Sequence, residues 1–84
     1  MPQFRVVPTK RFEDDFRGLP NKIQGQVLKV LERIAADPHR GQKLTQVTVG
    51  QWRYRVGDYR IRYDIEGQDV VLHVVRHRKE VYRR

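Results

Sequence analysis

Between Trp52 and Tyr63 the chain reads WRYRVGDYRIRY, a strict alternation of apolar and charged positions that predicts strands with one apolar and one polar face. Trp52, Tyr54, Val56, Tyr59, Ile61 and Tyr63 fall on one side, and Arg53, Arg55, Arg60 and Arg62 fall on the other. Gly57-Asp58 suits the two-residue loop of a β-hairpin, which sets Val56 against Tyr59, Arg55 against Arg60 and Arg53 against Arg62. Like charges directly opposite one another destabilise a sheet. Two such pairs on one face therefore point to an anionic ligand, and a planar guanidinium is well matched to phosphate.

The flanking pattern supplies the remaining elements. Phe4, Val6 and Val7 form a short apolar run ended by Pro8, which predicts a first strand. Thr9 is placed to cap a short helix in which Phe12, Phe16 and Leu19 share a face. Pro20 suits the first turn of a second helix, where Ile23, Val27, Val30, Leu31 and Ile34 repeat at helical spacing until Asp37-Pro38 stops it. Helices so closely spaced predict an αα-hairpin. His39 to Gly50 reads as a loop with a strand start near Leu44 and Val47. After a second turn at Glu66-Gly67-Gln68-Asp69, Val70, Val71, Leu72, Val74 and Val75 read as a largely buried strand.

The order β-α-α-β-β-β predicts an α+β fold, with the helical hairpin packed on the Trp52/Tyr54/Ile61/Tyr63 face of a small antiparallel sheet and the arginine face left open. The aromatic side chains of the hairpin are tempting as stacking platforms for bases, but they share the core face and read as core. At 84 residues, with no repeat, low-complexity tract or linker, residues 1–84 read as one domain. A chain this short buries only about 60 to 65% of its unfolded surface, so its core is modest.

Charge strengthens the anionic reading. Lys and Arg number 18 against 10 Asp and Glu, a formal +8, and the excess gathers from Arg53 onward. The absence of cysteine excludes a disulfide scaffold or thiolate metal site and is compatible with a reducing cytosol. The opening MPQFRVVPTK has no apolar run suited to a signal peptide, and no segment approaches the ~20 apolar residues of a membrane helix. A soluble cytoplasmic protein is expected.

The element order, the WRYRVGDYRIRY hairpin and the terminal HRKEVYRR resemble the RelE/ParE superfamily of prokaryotic toxins from Phe4 to Tyr82. The GDYR turn marks the superfamily. Arg78 followed by Tyr82 is similar to the RelE branch, whose basic and tyrosine set ParE-like members usually lack. The resemblance implies a microbial-RNase-like RelE fold and a ribosome-dependent endoribonuclease that cuts mRNA in the decoding site. It also implies a small acidic antitoxin as partner in a hetero-oligomer; the residues themselves offer no ligand cluster, so neither metal nor cofactor is expected. The alternative is a ParE-like, non-catalytic toxin that inhibits a DNA topoisomerase.

Metal-free RNA cleavage has the 2′-hydroxyl attack the adjacent phosphate, leaving a 2′,3′-cyclic phosphate and a 5′-hydroxyl. It needs cations for the phosphoryl charge, a base for the 2′-hydroxyl and an acid for the leaving oxygen. Arg60 and Arg78 are the expected phosphate-stabilising groups, and Tyr82 the residue that stacks on a base or assists the 2′-hydroxyl. Arg53 and Arg55, where family members usually carry lysine, would hold neighbouring phosphates, with Arg62 and Lys79 adding to the RNA-binding charge. Arginine is not deprotonated at ordinary pH, so this substitution leaves the general base unassigned. His77 is one candidate, since imidazole ordinarily titrates near about pH 6.5. It reads equally as the polar end of the last strand. Glu80 is a second candidate, though a carboxylate among so many cations makes a weak base.

Two further groups carry less. His73 and His77 are four apart in a strand run with no carboxylate motif beside them, which argues against a metal pair. Glu13, Asp14 and Asp15 read as a solvated acidic face near a helix N-terminus.

Overall fold

The computed structural model describes residues 3–79, and its elements follow the predicted order with two small additions, a 3-10 turn and a two-residue strand that lies just before Leu44 rather than at Leu44 and Val47. They are β1 (Arg5–Pro8), α1 (Lys10–Arg17), α2 (Asn21–Ala36), a 3-10 turn (Pro38–Arg40), β2 (Gln42–Lys43), β3 (Trp52–Val56), β4 (Tyr59–Glu66) and β5 (Asp69–His77). The strands form one sheet in the order β1-β5-β4-β3-β2.

Local chemistry sets the helix ends. Thr9 accepts from the Phe12 N–H at 3.2 Å and so caps α1. Pro20 stands at the N-cap of α2 rather than inside its first turn, and α2 stops at Ala36, where Asp37 and Pro38 follow. Val27, Val30 and Ile34 of α2 join Phe12 of α1 and Val56, Ile61, Tyr63, Val70, Leu72 and Val75 of the sheet in one buried cluster.

Both hairpins close on a glycine with positive φ. Gly57 has φ 59° and Gly67 has φ 62°, each the first of two loop residues, as a type II′ turn requires. The predicted register holds throughout: Trp52 faces Tyr63, Arg53 faces Arg62, Tyr54 faces Ile61, Arg55 faces Arg60 and Val56 faces Tyr59.

Two features depart from the expectation. The sheet is mixed rather than antiparallel, because β1 runs parallel to β5, pairing Arg5 with Asp69 through Pro8 with Leu72. A short apolar run carries no information on strand direction, and parallel pairing became available once the helical hairpin returned the chain across the sheet. The second departure is a bulge. Arg62 faces Val74 but Tyr63 faces Leu72, so His73 is unmatched and both Leu72 and Val75 reach the core.

Candidate nucleic-acid interface

The bulge and the hairpin together decide which side chains share the basic face. Arg60 lies opposite Arg55 on β3 and opposite Arg76 on β5, forming a row of three guanidinium groups, and Arg53 lies opposite Arg62. The row is not uniformly open, which corrects the expectation of an exposed arginine face. Arg55 is exposed, Arg53, Arg62 and Arg76 are half-buried, and Arg60 is only 3% exposed.

Burial of Arg60 is accompanied by local hydrogen bonds. Its Nη1 donates to the carbonyls of Gly57 at 3.1 Å and Tyr59 at 3.0 Å, while its buried Nε has no partner among the described residues. These bonds brace the hairpin turn. Asp58 in that turn accepts from the Arg78 N–H at 2.7 Å, so the segment carrying Arg78 is seated on the turn that Arg60 holds.

The other basic residues are anchored differently. Arg62 donates from Nε to the Gly50 carbonyl at 2.7 Å. Gly50 has φ 68°, and a Cβ there would sit 3.2 Å from the Arg62 Cβ, so glycine permits both the turn and the approach. Arg53 donates to the side-chain carbonyl of Gln42. Arg76 is answered by Asp15 at 3.4 Å.

Asp15 therefore is not part of a solvated acidic face. It also accepts from the Val75 N–H at 3.3 Å, on the edge of β5 beyond the end of β1. Thr9 covers the preceding stretch of that edge, its Oγ1 donating to the Leu72 carbonyl at 2.8 Å. Glu13 and Asp14 are the exposed members of the group, and Asp14 is paired with Lys10 at 3.7 Å and with Arg17.

His77 and Arg60 do not meet. His77 faces Tyr59 across the ladder, their rings edge to face with centroids 5.3 Å apart, on the sheet side opposite the Arg55–Arg60–Arg76 row. Its Nδ1 accepts from the Lys79 N–H at 3.2 Å, the kind of loop contact expected of a polar strand end. Arg78 and Lys79 are exposed. Tyr82 and Glu80 lie outside the described residues.

The unmatched His73 has a separate use. Its Nε2 lies 2.9 Å from Asp64, whose two oxygens also accept from the backbone N–H groups of Gly50 and Gln51, each at 2.8 Å. Burial alone would raise the Asp64 carboxyl, but the bonds from Gln51, Gly50 and His73 hold it below the usual carboxylate range. The cluster stitches the loop before β3 onto β4. Among the described residues, no group of three or more His, Cys, Asp or Glu is arranged to hold a metal ion.

Sequence reasoning missed Arg40. The cleft beside β3 is lined by Arg40, Gly41, Gln42, Arg53, Tyr54 and Arg55, joining a residue of the 3-10 turn to the hairpin. The Pro38 and Gly41 that bracket His39-Arg40 were the available signal for a turn presenting that arginine. A second, apolar groove runs between α1, α2 and β1, where Phe12, Phe16, Leu28 and Leu31 meet, and Leu28 is 54% exposed.

The sequence matches the family described as the ParE toxin of the type II toxin-antitoxin system parDE over residues 6–82. No curated protein matches it significantly. Among solved structures, a chain of the RelBE2 toxin-antitoxin complex from Mycobacterium tuberculosis is 28% identical. That alignment covers 92% of this chain and 93% of the other, with a TM-score of 0.83. A chain of the RelB-RelE complex from Methanococcus jannaschii is 24% identical over 92% and 95%, with a TM-score of 0.75. The isolated RelE toxin of E. coli is 15% identical over 88% and 83%, also at 0.75, a likeness of fold.

Proposed function

The chain belongs to the RelE/ParE superfamily as a toxin of a type II toxin-antitoxin system, and on that premise we propose that it is a ribosome-dependent endoribonuclease cutting mRNA in the decoding site. The supporting observation is the cross-strand row Arg55–Arg60–Arg76 beside the Arg53–Arg62 pair. Such repulsion within a small domain is balanced when a polyanion lies across the face.

In this reading the O2′–P bond forms as the P–O5′ bond breaks, and charge gathers on the non-bridging oxygens. Exposed Arg78 stabilises that charge, with Arg53, Arg55, Arg62 and Lys79 holding the flanking backbone. Arg60 acts as a positioning residue: it braces the turn that seats Arg78, and its buried charge adds to the field. Tyr82 orients a base or the 2′-hydroxyl. His77 remains the candidate base, and it serves only if the RNA reaches the Tyr59 side of the strand end. The cytoplasm, where ribosomes translate, is the site of action.

We further propose that the antitoxin is a small acidic protein, partly disordered until it binds. Its apolar side chains would occupy the groove around Leu28, and its acidic ones would neutralise the arginine face.

Two observations favour the second reading, a non-catalytic inhibitor of a DNA topoisomerase: the matching family is described as ParE, and Arg60 is buried. Expression without antitoxin, followed by mapping of cellular mRNA 5′ ends, separates the two. Cuts inside translated codons support the ribonuclease. Intact mRNA with DNA damage supports the inhibitor.

A further inference from the structure

Beside β3 the chain leaves the sheet one step too early for its own charge pattern. β2 pairs only Gln42 with Arg53 and Lys43 with Trp52. Continued in the same register, Gly41 would lie beside Tyr54 and Arg40 beside Arg55. Instead, Pro38–Arg40 turns as a 3-10 helix and draws the backbone away. The gap left behind is a cleft of about 210 Å³, and three of the six residues that line it are arginines, Arg40, Arg53 and Arg55.

The ladder also aims backbone into this cleft. The Leu44 N–H donates to the Gln51 carbonyl at 2.7 Å, so alternate residues of β3 turn their N–H and C=O groups toward β2. Arg55 is the next in that series beyond Arg53. Its N–H faces the cleft where no β2 residue continues the ladder.

The position of Arg40 is built rather than incidental. The buried Tyr63 hydroxyl donates to the Pro38 carbonyl at 2.7 Å and so ties the 3-10 turn to β4. Gly41 permits the close pass that follows, since a Cβ there would fall 2.9 Å from the Arg53 carbonyl oxygen and against the Tyr63 hydroxyl. Gln42, through its side-chain carbonyl, holds the Arg53 guanidinium at the rim.

We propose that this cleft binds a second phosphate of the RNA strand, one removed from the scissile phosphate, with Arg40 as its outer clamp. The inference rests on the RNA-cleaving reading but concerns binding alone. The cleft is smaller than the ~300 to 1,000 Å³ of drug-sized ligand sites, which suits a phosphate with part of its ribose rather than a whole nucleotide. Three fork-shaped donors and a backbone N–H match the several acceptor oxygens of a phosphodiester.

The test uses a short, fluorescently labelled single-stranded RNA whose 2′-hydroxyls are methylated, so that it binds without being cut. Affinity for the purified toxin is measured by anisotropy across a salt series. Each phosphate neutralised on a single strand contributes a slope of about −0.7 in log K against log salt. Arg40→Gln is expected to flatten the slope by roughly that amount and weaken binding several-fold, with unchanged melting because Arg40 is exposed. Arg33→Gln, which removes an equal charge from the exposed last turn of α2, is expected to change the slope far less. Equal effects from the two variants would overturn the proposal, since only net charge would then be at work. An Arg40→Gln protein that keeps the parent RNA slope but releases its antitoxin would also overturn it, assigning the cleft to a partner carboxylate. A flattened slope in a toxin whose parent cuts no mRNA on ribosomes would support the phosphate site while sinking the cleavage reading.

Discussion

Arg60 and Arg76 stand directly opposite each other in the β4–β5 register, and the fold answers them in opposite ways. Arg76 meets the carboxylate of Asp15, whereas Arg60 is buried against the carbonyls of Gly57 and Tyr59. The difference makes Arg76 part of the α1–sheet contact and Arg60 part of the hairpin turn.

Register alone predicts that Arg60→Ala relieves repulsion of a few tenths to about 1 kcal/mol. Burial reverses the sign. Truncation removes a packed stem and two hydrogen bonds, and the expected cost is about 1 to 3 kcal/mol, read as a fall in Tm by thermal melting. Arg60→Met, which keeps the stem and removes the unpaired Nε, should recover part of that loss. If Arg60 positions Arg78, both variants should still cut more slowly on programmed ribosomes. Full cleavage by a folded Arg60→Met protein would confine Arg60 to stability.

Arg78 offers the converse case. It is exposed and its fold contact is made by its backbone N–H, so Arg78→Ala should melt like the parent. As the exposed cation proposed at the phosphoryl group, its loss should slow cleavage by roughly 100-fold to 1000-fold. Single-turnover rates on programmed ribosomes measure this directly.

Asp64 predicts a pH dependence. Its carboxyl is held below the usual range in the folded protein by Gln51, Gly50 and His73, against the opposing effect of burial. The stability it contributes is therefore complete above the unfolded value of about 3.9 and is lost as pH falls through the folded one. Asp64→Asn should melt lower than the parent at neutral pH, and the gap should close in acid. A gap that stays constant between neutral and strongly acid pH would show that the carboxylate charge contributes nothing.

Leu28 tests the partner surface. It is 54% exposed and lines the apolar groove with Phe12, Phe16 and Leu31. Leu28→Glu should weaken antitoxin binding by about tenfold or more, a typical loss for an interface anchor, and leave cleavage unchanged. Titration calorimetry against the antitoxin provides the number.

The hairpin, its turn and both helices were legible because each rests on a local rule: period-two alternation, a glycine with positive φ, and a threonine cap before a 3.6-residue repeat. What alternation cannot show is what covers a side chain. It assigned Arg60 to the correct side of the sheet and left its burial hidden, because the bonds from Nη1 run back to the turn rather than outward. The bulge at His73, the contact of Asp15 with β5 and the arrival of Arg40 beside Arg55 depend on pairings between distant segments, for which the chain holds no short-range signal. His77 was legible as the end of the last strand, but the side it faces follows from the bulge.

The most direct test of the arginine-face account is cleavage of a defined mRNA held on translating ribosomes by the purified toxin, with end-group analysis of the products. The account predicts a cut within the decoding-site codon that leaves a 2′,3′-cyclic phosphate and a 5′-hydroxyl, lost in Arg78→Ala. Intact mRNA under these conditions, with inhibition of a DNA topoisomerase by the same preparation, would contradict it.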